Sequence, residues 1–137
     1  MPHLVILYTP NLEAADAPVR ADFSKLCRAL ADVMLVQRDE RGGAVFPPGG
    51  TRVLAYPATH YAVADGQGDY GFIYLNLRMA RGRSELVQHN VGTALLDCAK
   101  AELDAVFQSR PVGLTFQIDQ GGEVFDGKYS GLHPLFN

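Results

Sequence analysis

The strongest constraint on the fold is an order of elements that occurs twice along the chain: a strand, a helix and a strand. In residues 70–79, apolar side chains alternate strictly with aromatic or polar ones, which is typical of a strand. Before and after this run, apolar residues recur at helical spacing. The predicted strands lie near residues 3–8, 51–54, 60–64, 70–79 and 111–119, and the predicted helices near residues 18–35 and 84–108.

Two strand–helix–strand units predict one α+β domain over residues 1–137, with pseudo-repeats at about residues 1–64 and 69–137. Together the units form a four-stranded sheet with two helices on one face. The other face then needs cover, because the first strand is apolar at nearly every position and Phe72 and Tyr74 lie on the even positions of residues 70–79. We expect another copy of the chain to supply that cover.

The charge pattern narrows the possible partners. The formal net charge is −3 and no run of basic residues exists, so we expect neither a nucleic-acid nor a membrane partner. No segment approaches the roughly 20 apolar residues of a spanning helix, and no secretory signal is visible. Cys27 and Cys98 lie in predicted helices, where a reduced, buried thiol is expected, and the four histidines show no metal-ligand spacing. These features predict a cytoplasmic protein without a metal site.

Pro2 has the most distinctive chemical potential in the chain. Once Met1 is removed, the Pro2 nitrogen is a secondary amine at the N-terminus. Such an amine can take and return a proton when an apolar, cation-lined pocket keeps it neutral. An N-terminal proline by itself more often just begins a strand, so the hypothesis depends on other parts of the sequence.

Five segments, in the same order along the chain, support a family resemblance. They are Pro2-His3 before a strand, Phe46-Pro47-x-x-Gly50-x-Arg52, Ala64-Asp65-Gly66-Gln67-x-Asp69-Tyr70-x-Phe72, Gly82-Arg83-Ser84 at the start of a helix, and the tail His133-Pro134-Leu135-Phe136-Asn137. With these segments the chain resembles the 5-carboxymethyl-2-hydroxymuconate isomerase family of the tautomerase superfamily. The third and fourth segments are fairly specific in these contexts.

The resemblance implies a tautomerase-like fold and a homotrimer with active sites between subunits. It implies that Pro2 is the catalytic acid and base, and that Arg52 and Arg83 bind substrate carboxylates. The implied substrate is a small carboxylated dienol, 5-carboxymethyl-2-hydroxymuconate, which is converted to its 2-oxo isomer in homoprotocatechuate catabolism. The resemblance implies no cofactor and no metal.

The physical properties of the two arginines agree with those implied roles. A guanidinium is always charged and can bind a carboxylate through two parallel hydrogen bonds. Arg83 also precedes a predicted helix, whose N-terminal amides and dipole favour an anion. Cations held in place would stabilise the charge that develops on the substrate oxygens.

Two departures from the family pattern leave the substrate open. Residues 53–55 are Val-Leu-Ala where the family has further charged residues, and the loop at residues 38–45 is longer here. Arg38 and Arg41 in that loop are most simply surface charges, although the loop could reach a substrate. The alternatives are a tautomerase acting on another enol acid, and a non-catalytic ligand-binding or assembly module with the same fold.

Overall fold

The computed structural model describes residues 2–136, which contain four strands and two long helices. In chain order these are β1 (His3–Tyr8), α1 (Phe23–Leu35), β2 (Arg52–Pro57), β3 (Gly71–Met79), α2 (Glu85–Ser109) and β4 (Val112–Gln120). Short 3-10 helices lie at Pro10–Glu13, Pro48–Gly50 and His133–Phe136. Met1 and Asn137 lie outside the described residues. The expected removal of Met1 and the last position of the tail segment therefore fall there.

The strands form one sheet in the order β2-β1-β3-β4. Within each unit the two strands are parallel, β1 with β2 and β3 with β4, as a connection through a helix requires. The two units meet at the centre of the sheet, where β1 and β3 are antiparallel and Ile6 lies opposite Leu75. The predicted α+β fold with two strand–helix–strand units is therefore confirmed.

Both helices cover the same face of the sheet and form the core with it. Alternate residues of the central strands are fully buried there: Leu4, Ile6, Ile73, Leu75 and Leu77. The helices add buried residues at spacings of three or four: Phe23, Leu26, Leu30 and Met34 from α1, and Val87, Val91, Leu95, Ala99, Leu103 and Val106 from α2. No helix within residues 2–136 is long and apolar enough to cross a membrane.

The first helix starts later than predicted, at Phe23, so Pro18 is not in its first turn. Its N-cap is Asp22, whose carboxylate accepts a hydrogen bond from the Lys25 backbone N–H at 3.0 Å. The Ala21 N–H donates to the Leu12 carbonyl oxygen at 2.8 Å, which holds the preceding chain in the loop. The predicted end of this helix near Leu35 is confirmed.

The predicted strand at residues 60–64 is wrong, because this segment is a loop that ends in a turn. Ala64 has a φ of 53°, in the left-handed region that an extended strand does not use. The Gly66 N–H donates to the Val63 carbonyl oxygen at 3.2 Å and closes the turn. The strand predicted near residues 51–54 is present as β2, and it extends to Pro57.

The second face of the sheet, called here the open face, has no helix over it within residues 2–136. It presents Leu7 of β1, Leu54 and Tyr56 of β2, and Phe72 of β3, whose exposed fractions lie between 36% and 49%. Large apolar side chains grouped on one surface are typical of a protein–protein contact. The apolar face predicted from the sequence is therefore present.

The two cysteines are free thiols that pack, half-buried, against the core. Burial raises the pKa of both the Cys27 and the Cys98 thiols. A raised pKa keeps a thiol protonated and a poor nucleophile. Their expected role as reduced residues of the helix core is consistent with this environment.

Candidate active site

Pro2 is buried and lines a cavity of about 240 Å³, called here the Pro2 cavity. The residue directly precedes β1, so the strand determines where the pyrrolidine ring lies. The other lining residues are Val45, Phe46, Pro47, Met79, Ala80, Arg83, Lys128 and His133. An apolar wall with a few convergent polar groups is the usual composition of a small-molecule site.

Arg83 reaches this cavity from the start of α2. The preceding Gly82 has a φ of +101°, a conformation that a residue with a Cβ rarely adopts, where the chain turns from β3 towards the helix. Ser84 is the N-cap of α2, and its hydroxyl oxygen accepts a hydrogen bond from the Val87 N–H at 3.2 Å. The structure thus brings together Pro2 and Arg83, two of the three site residues named from the sequence.

Two contacts hold the Arg83 guanidinium. Its Nη2 donates to the Val45 carbonyl oxygen at 2.9 Å, and its Nη1 lies 3.4 Å from Asp39 Oδ2. The side chain keeps 31% of its surface exposed, so an anion in the cavity can still reach it. Arg83 is therefore oriented by the protein and accessible to a ligand.

The loop at residues 38–45 is organised around Asp39. Its Oδ1 accepts hydrogen bonds from the backbone N–H groups of Gly43 at 2.8 Å and Arg41 at 2.9 Å. These N–H groups, and to a smaller extent the Arg83 guanidinium, hold the pKa of the Asp39 carboxyl below its usual value. The loop therefore carries a stable negative charge beside Arg83.

The same loop also contacts Ser84, the residue after Arg83, because the Ser84 hydroxyl donates a hydrogen bond to Glu40 Oε1. Arg38 donates to the carbonyl oxygens of Leu35 and Gln37, at 3.0 and 2.9 Å, near the end of α1. Neither Arg38 nor Arg41 lines the Pro2 cavity. The longer loop thus meets the site through Val45 and Asp39, and its arginines lie elsewhere.

Arg52, the third residue named from the sequence, lines a different cavity. It begins β2, paired with His3 of β1, and its Nη1 donates to the Gly50 carbonyl oxygen at 2.9 Å. The cavity it lines, called here the Arg52 cavity, has a volume of about 540 Å³ and includes Leu35 of α1 and Phe136. The Pro2 cavity does not include Arg52, and the Arg52 cavity does not include Pro2.

Both cavities adjoin the contact between the 3-10 helices Pro48–Gly50 and His133–Phe136. Each cavity is lined by different residues at this contact. Pro47 and His133 line the Pro2 cavity, whereas Pro48 and Phe136 line the Arg52 cavity. A Cβ on Gly49 would lie 2.7 Å from the His133 Cα, so glycine is required for this approach. The glycine-rich stretch after Phe46 therefore has a packing role between the two cavities.

Two polar residues of the Pro2 cavity, Lys128 and His133, were not identified from the sequence as site residues. Lys128 lies in the irregular segment after β4, where no periodicity relates a residue to the sheet. His133 belongs to the tail segment that supports the family resemblance, but the resemblance implied no function for this residue. The tail was the one sequence signal that pointed to this part of the chain.

His3, whose role the sequence left open, lies on the open face and does not line the Pro2 cavity. Its neighbour Leu4 points into the core, so the alternation of β1 separates the two side chains. Burial lowers the pKa of the His3 imidazole, and the Arg52 and Arg78 guanidinium groups lower it further.

The Pro2 cavity is suited to proton transfer on a small anion. Arg83 and Lys128 supply positive charge, and none of its lining residues is acidic. Its apolar wall can pack against an uncharged conjugated chain and lowers the local dielectric, which strengthens the attraction between the cations and an anion. No cluster of His, Cys, Asp and Glu within residues 2–136 is arranged to hold a metal ion.

Comparisons with known proteins agree with this fold. The model of a family described as 5-carboxymethyl-2-hydroxymuconate isomerase matches residues 2–136. A 5-carboxymethyl-2-hydroxymuconate Delta-isomerase from Escherichia coli is 28% identical over 137 residues, covering 99% of each chain. A crystal structure of a 5-carboxymethyl-2-hydroxymuconate delta-isomerase is 55% identical with a TM-score of 0.92, covering all of this chain and 93% of the other.

A more distant solved structure shares the fold alone. It is described as an F6 fused 4-OT wild type asymmetric trimer, and it is 18% identical with a TM-score of 0.53. The likeness covers 93% of this chain and 94% of the other.

Proposed function

The chain belongs to the 5-carboxymethyl-2-hydroxymuconate isomerase family. From that premise we propose that it is a member of the tautomerase superfamily and that Pro2 catalyses the ketonisation of 5-carboxymethyl-2-hydroxymuconate. The product is the 2-oxo isomer, and the reaction is a step of homoprotocatechuate catabolism in the cytoplasm. The observation that carries the proposal is the occurrence of Pro2 and Arg83 in one small, largely apolar cavity.

The proposed chemistry is a proton transfer through the Pro2 nitrogen. With Met1 removed, the neutral secondary amine accepts the proton of the substrate 2-hydroxyl group, and the enol electrons shift along the conjugated chain. The resulting ammonium returns the proton to a carbon of that chain, so that the enzyme ends in its starting state. Burial of Pro2 and the Arg83 guanidinium at the same cavity both disfavour the protonated amine, which keeps it ready to act as a base.

Arg83 is proposed to bind a substrate carboxylate during this transfer. Its guanidinium is already held by the Val45 carbonyl oxygen and Asp39, so little side-chain freedom is lost when an anion binds. Because the cation is oriented before the reaction, it also stabilises the negative charge that develops on the enolate oxygen and carboxylate. The N-terminus of α2, directly after Arg83, adds a favourable partial charge.

We further propose that the working enzyme is a homotrimer and that Arg52 completes the site of a neighbouring subunit. The open face supports the first part, because Leu7, Leu54, Tyr56 and Phe72 need a partner surface. The position of Arg52 at the start of the edge strand β2, outside the Pro2 cavity of its own chain, supports the second. A head-to-tail contact of this kind closes into a ring when its rotation permits.

The proposal is tested by measuring the intact mass of untagged protein and the ultraviolet-monitored ketonisation of 5-carboxymethyl-2-hydroxymuconate. We expect a mass without Met1, and a fall in kcat of about a hundredfold or more in Pro2→Ala. As a matched control, an alanine inserted before Pro2 keeps the ring but makes its nitrogen an amide, and this protein should be inactive. Wild-type protein that lacks Met1 yet acts on no enol acid would instead indicate a non-catalytic module.

A further inference from the structure

Lys128 is a second cation at the Pro2 cavity, and it comes from a different part of the chain than Arg83. Arg83 stands at the start of α2, whereas Lys128 lies in the segment after β4. We propose that Lys128 binds a second carboxylate of the substrate and thereby makes the enzyme selective for substrates with a carboxylate side arm. This inference rests on the proposed function and identifies one of its binding residues.

The lining of the cavities shows why Lys128 can reach a ligand. Lys128 also lines an adjacent cavity of about 400 Å³, together with Arg78, Glu123 and Asp126. Lys128 therefore lies at the boundary between the two spaces. Its Nζ is 2.5 Å from Asp126 Oδ2, and Asp126 does not line the Pro2 cavity. In the free protein, the ammonium is thus paired with a carboxylate from outside the Pro2 cavity.

A substrate carboxylate can replace Asp126 at little cost. The side chains of Lys128 and Asp126 keep 43% and 50% of their surfaces exposed, and ion pairs at such exposure contribute little stability. The two residues are also close in sequence, within an irregular segment. A carboxylate in the partly apolar Pro2 cavity would meet the same ammonium in a less solvated place, where the attraction is stronger.

The two cations differ in a way that divides their roles. The Arg83 guanidinium has two fixed contacts and a planar fork, which suits a carboxylate that is conjugated with the reacting enol and must lie in its plane. The Lys128 ammonium is a point charge on a flexible stem, which suits a carboxylate on a flexible side arm. The carboxymethyl group of the proposed substrate is such an arm.

The test compares Lys128→Met with the wild type on two substrates, 5-carboxymethyl-2-hydroxymuconate and 2-hydroxymuconate, which lacks the arm. Methionine keeps much of the stem and removes the charge. We expect KM for the substrate with the arm to rise about tenfold, with kcat within about twofold and KM for 2-hydroxymuconate little changed. Lys128→Arg should restore most of the lost affinity, because it keeps the charge.

Asp126→Asn is the matched opposite variant, since it removes the competing carboxylate and leaves Lys128 in place. In Asp126→Asn, we expect KM for the substrate with the arm to fall about twofold to threefold. In Lys128→Met, we expect the salt dependence of this KM to weaken, because a charge that binds the substrate is lost. An unchanged KM in Lys128→Met, or an equal rise for both substrates, overturns the proposal.

Failure of the proposed function would be seen separately, as wild-type protein without activity on either substrate. Lys128 can then still be tested by calorimetric titration with propane-1,2,3-tricarboxylate and with glutarate. Tighter binding of the tricarboxylate that is lost in Lys128→Met would support the inference, and equal binding by both proteins would overturn it.

Discussion

Arg83 and Arg52 are each the single arginine of a family-like segment, but their surroundings in the fold differ. Arg83 lines the cavity that contains Pro2, and a loop of the same chain holds its guanidinium. Arg52 lies on the edge strand β2 and lines a separate cavity beside α1. Within the chain, Pro2 and Arg83 therefore share a cavity that does not include Arg52.

The difference shows how the environment divides two residues of the same type. Arg83 follows a glycine with positive φ and directly precedes the N-cap of α2, so its backbone position is closely determined. Arg52 pairs with His3 of β1, at the edge of the sheet where a second chain can approach. Local geometry therefore places Arg83 at the Pro2 cavity of its own chain, whereas the role proposed for Arg52 depends on assembly.

The largest expected effect is that of Arg83→Gln. Removing this cation should lower kcat/KM for 5-carboxymethyl-2-hydroxymuconate about a hundredfold to a thousandfold, because an oriented donor to the developing charge is lost. Steady-state kinetics measure the change. Arg41→Gln is the control, since Arg41 is an exposed arginine of the neighbouring loop that does not line the Pro2 cavity. Equal loss in both variants would mean that net charge, and not the position of Arg83, is responsible.

The next effect depends on assembly. Arg52→Gln and Pro2→Ala should each lose about a hundredfold in activity by themselves, yet a refolded equimolar mixture should regain part of it. If each site takes Pro2 from one subunit and Arg52 from its neighbour, about a quarter of the sites are intact after random mixing. The measurement is specific activity after mixing, and Arg83→Gln mixed with Pro2→Ala is the control that should stay inactive. Recovery in the control, or none with Arg52→Gln, would contradict the division between the two arginines.

The smallest effect is expected from Asp39→Asn, which removes the charge beside Arg83 while its side-chain oxygen can still accept the loop hydrogen bonds. The Val45 carbonyl oxygen still holds Arg83, so KM should rise only about twofold to fivefold. Glu40→Gln is the control, because Glu40 contacts Ser84 and not Arg83. An equal change in both variants would show that the loop acts as a whole.

The same variant predicts a change in the pH dependence of stability. The pKa of Asp39 is lowered in the folded protein, first by the Gly43 and Arg41 N–H groups. Its contribution to stability is therefore present above the unfolded pKa of about 4 and is lost as the pH falls through the lower, folded value. The difference in Tm between wild type and Asp39→Asn should shrink as the pH falls below about 4. A difference that is the same at every pH would exclude this role for the Asp39 charge.

Much of the fold could be predicted from the sequence because its signals are local. The alternation in β3 and the helical spacing in α2 are properties of short segments, and each segment has the predicted type. The two errors have local causes that compete with those signals. The helix α1 begins at Phe23, because Asp22 caps it and the Ala21–Leu12 hydrogen bond holds the preceding residues in a loop. The left-handed conformation of Ala64 prevents a strand at residues 60–64.

The candidate site was only partly predictable for a similar reason. Pro2 and Arg83 belong to segments next to regular elements, so their resemblance could be recognised without knowing the fold. Lys128 reaches the Pro2 cavity from an irregular segment, and Asp39 reaches Arg83 from a loop longer than the family pattern. No spacing in the sequence links these residues, because their contacts join segments that are distant along the chain.

By itself, the sequence determined the type and order of the four strands and two helices, although it also predicted a strand at residues 60–64 that is absent. It further determined the existence of an uncovered apolar face and the family resemblance that pointed to Pro2, Arg52 and Arg83. The tertiary structure alone decided which of these residues share a cavity, which loop holds Arg83, and that Lys128 stands at the same cavity. The physical reason is that periodicity and capping act over a few residues, whereas a cavity is made where side chains from separate elements meet.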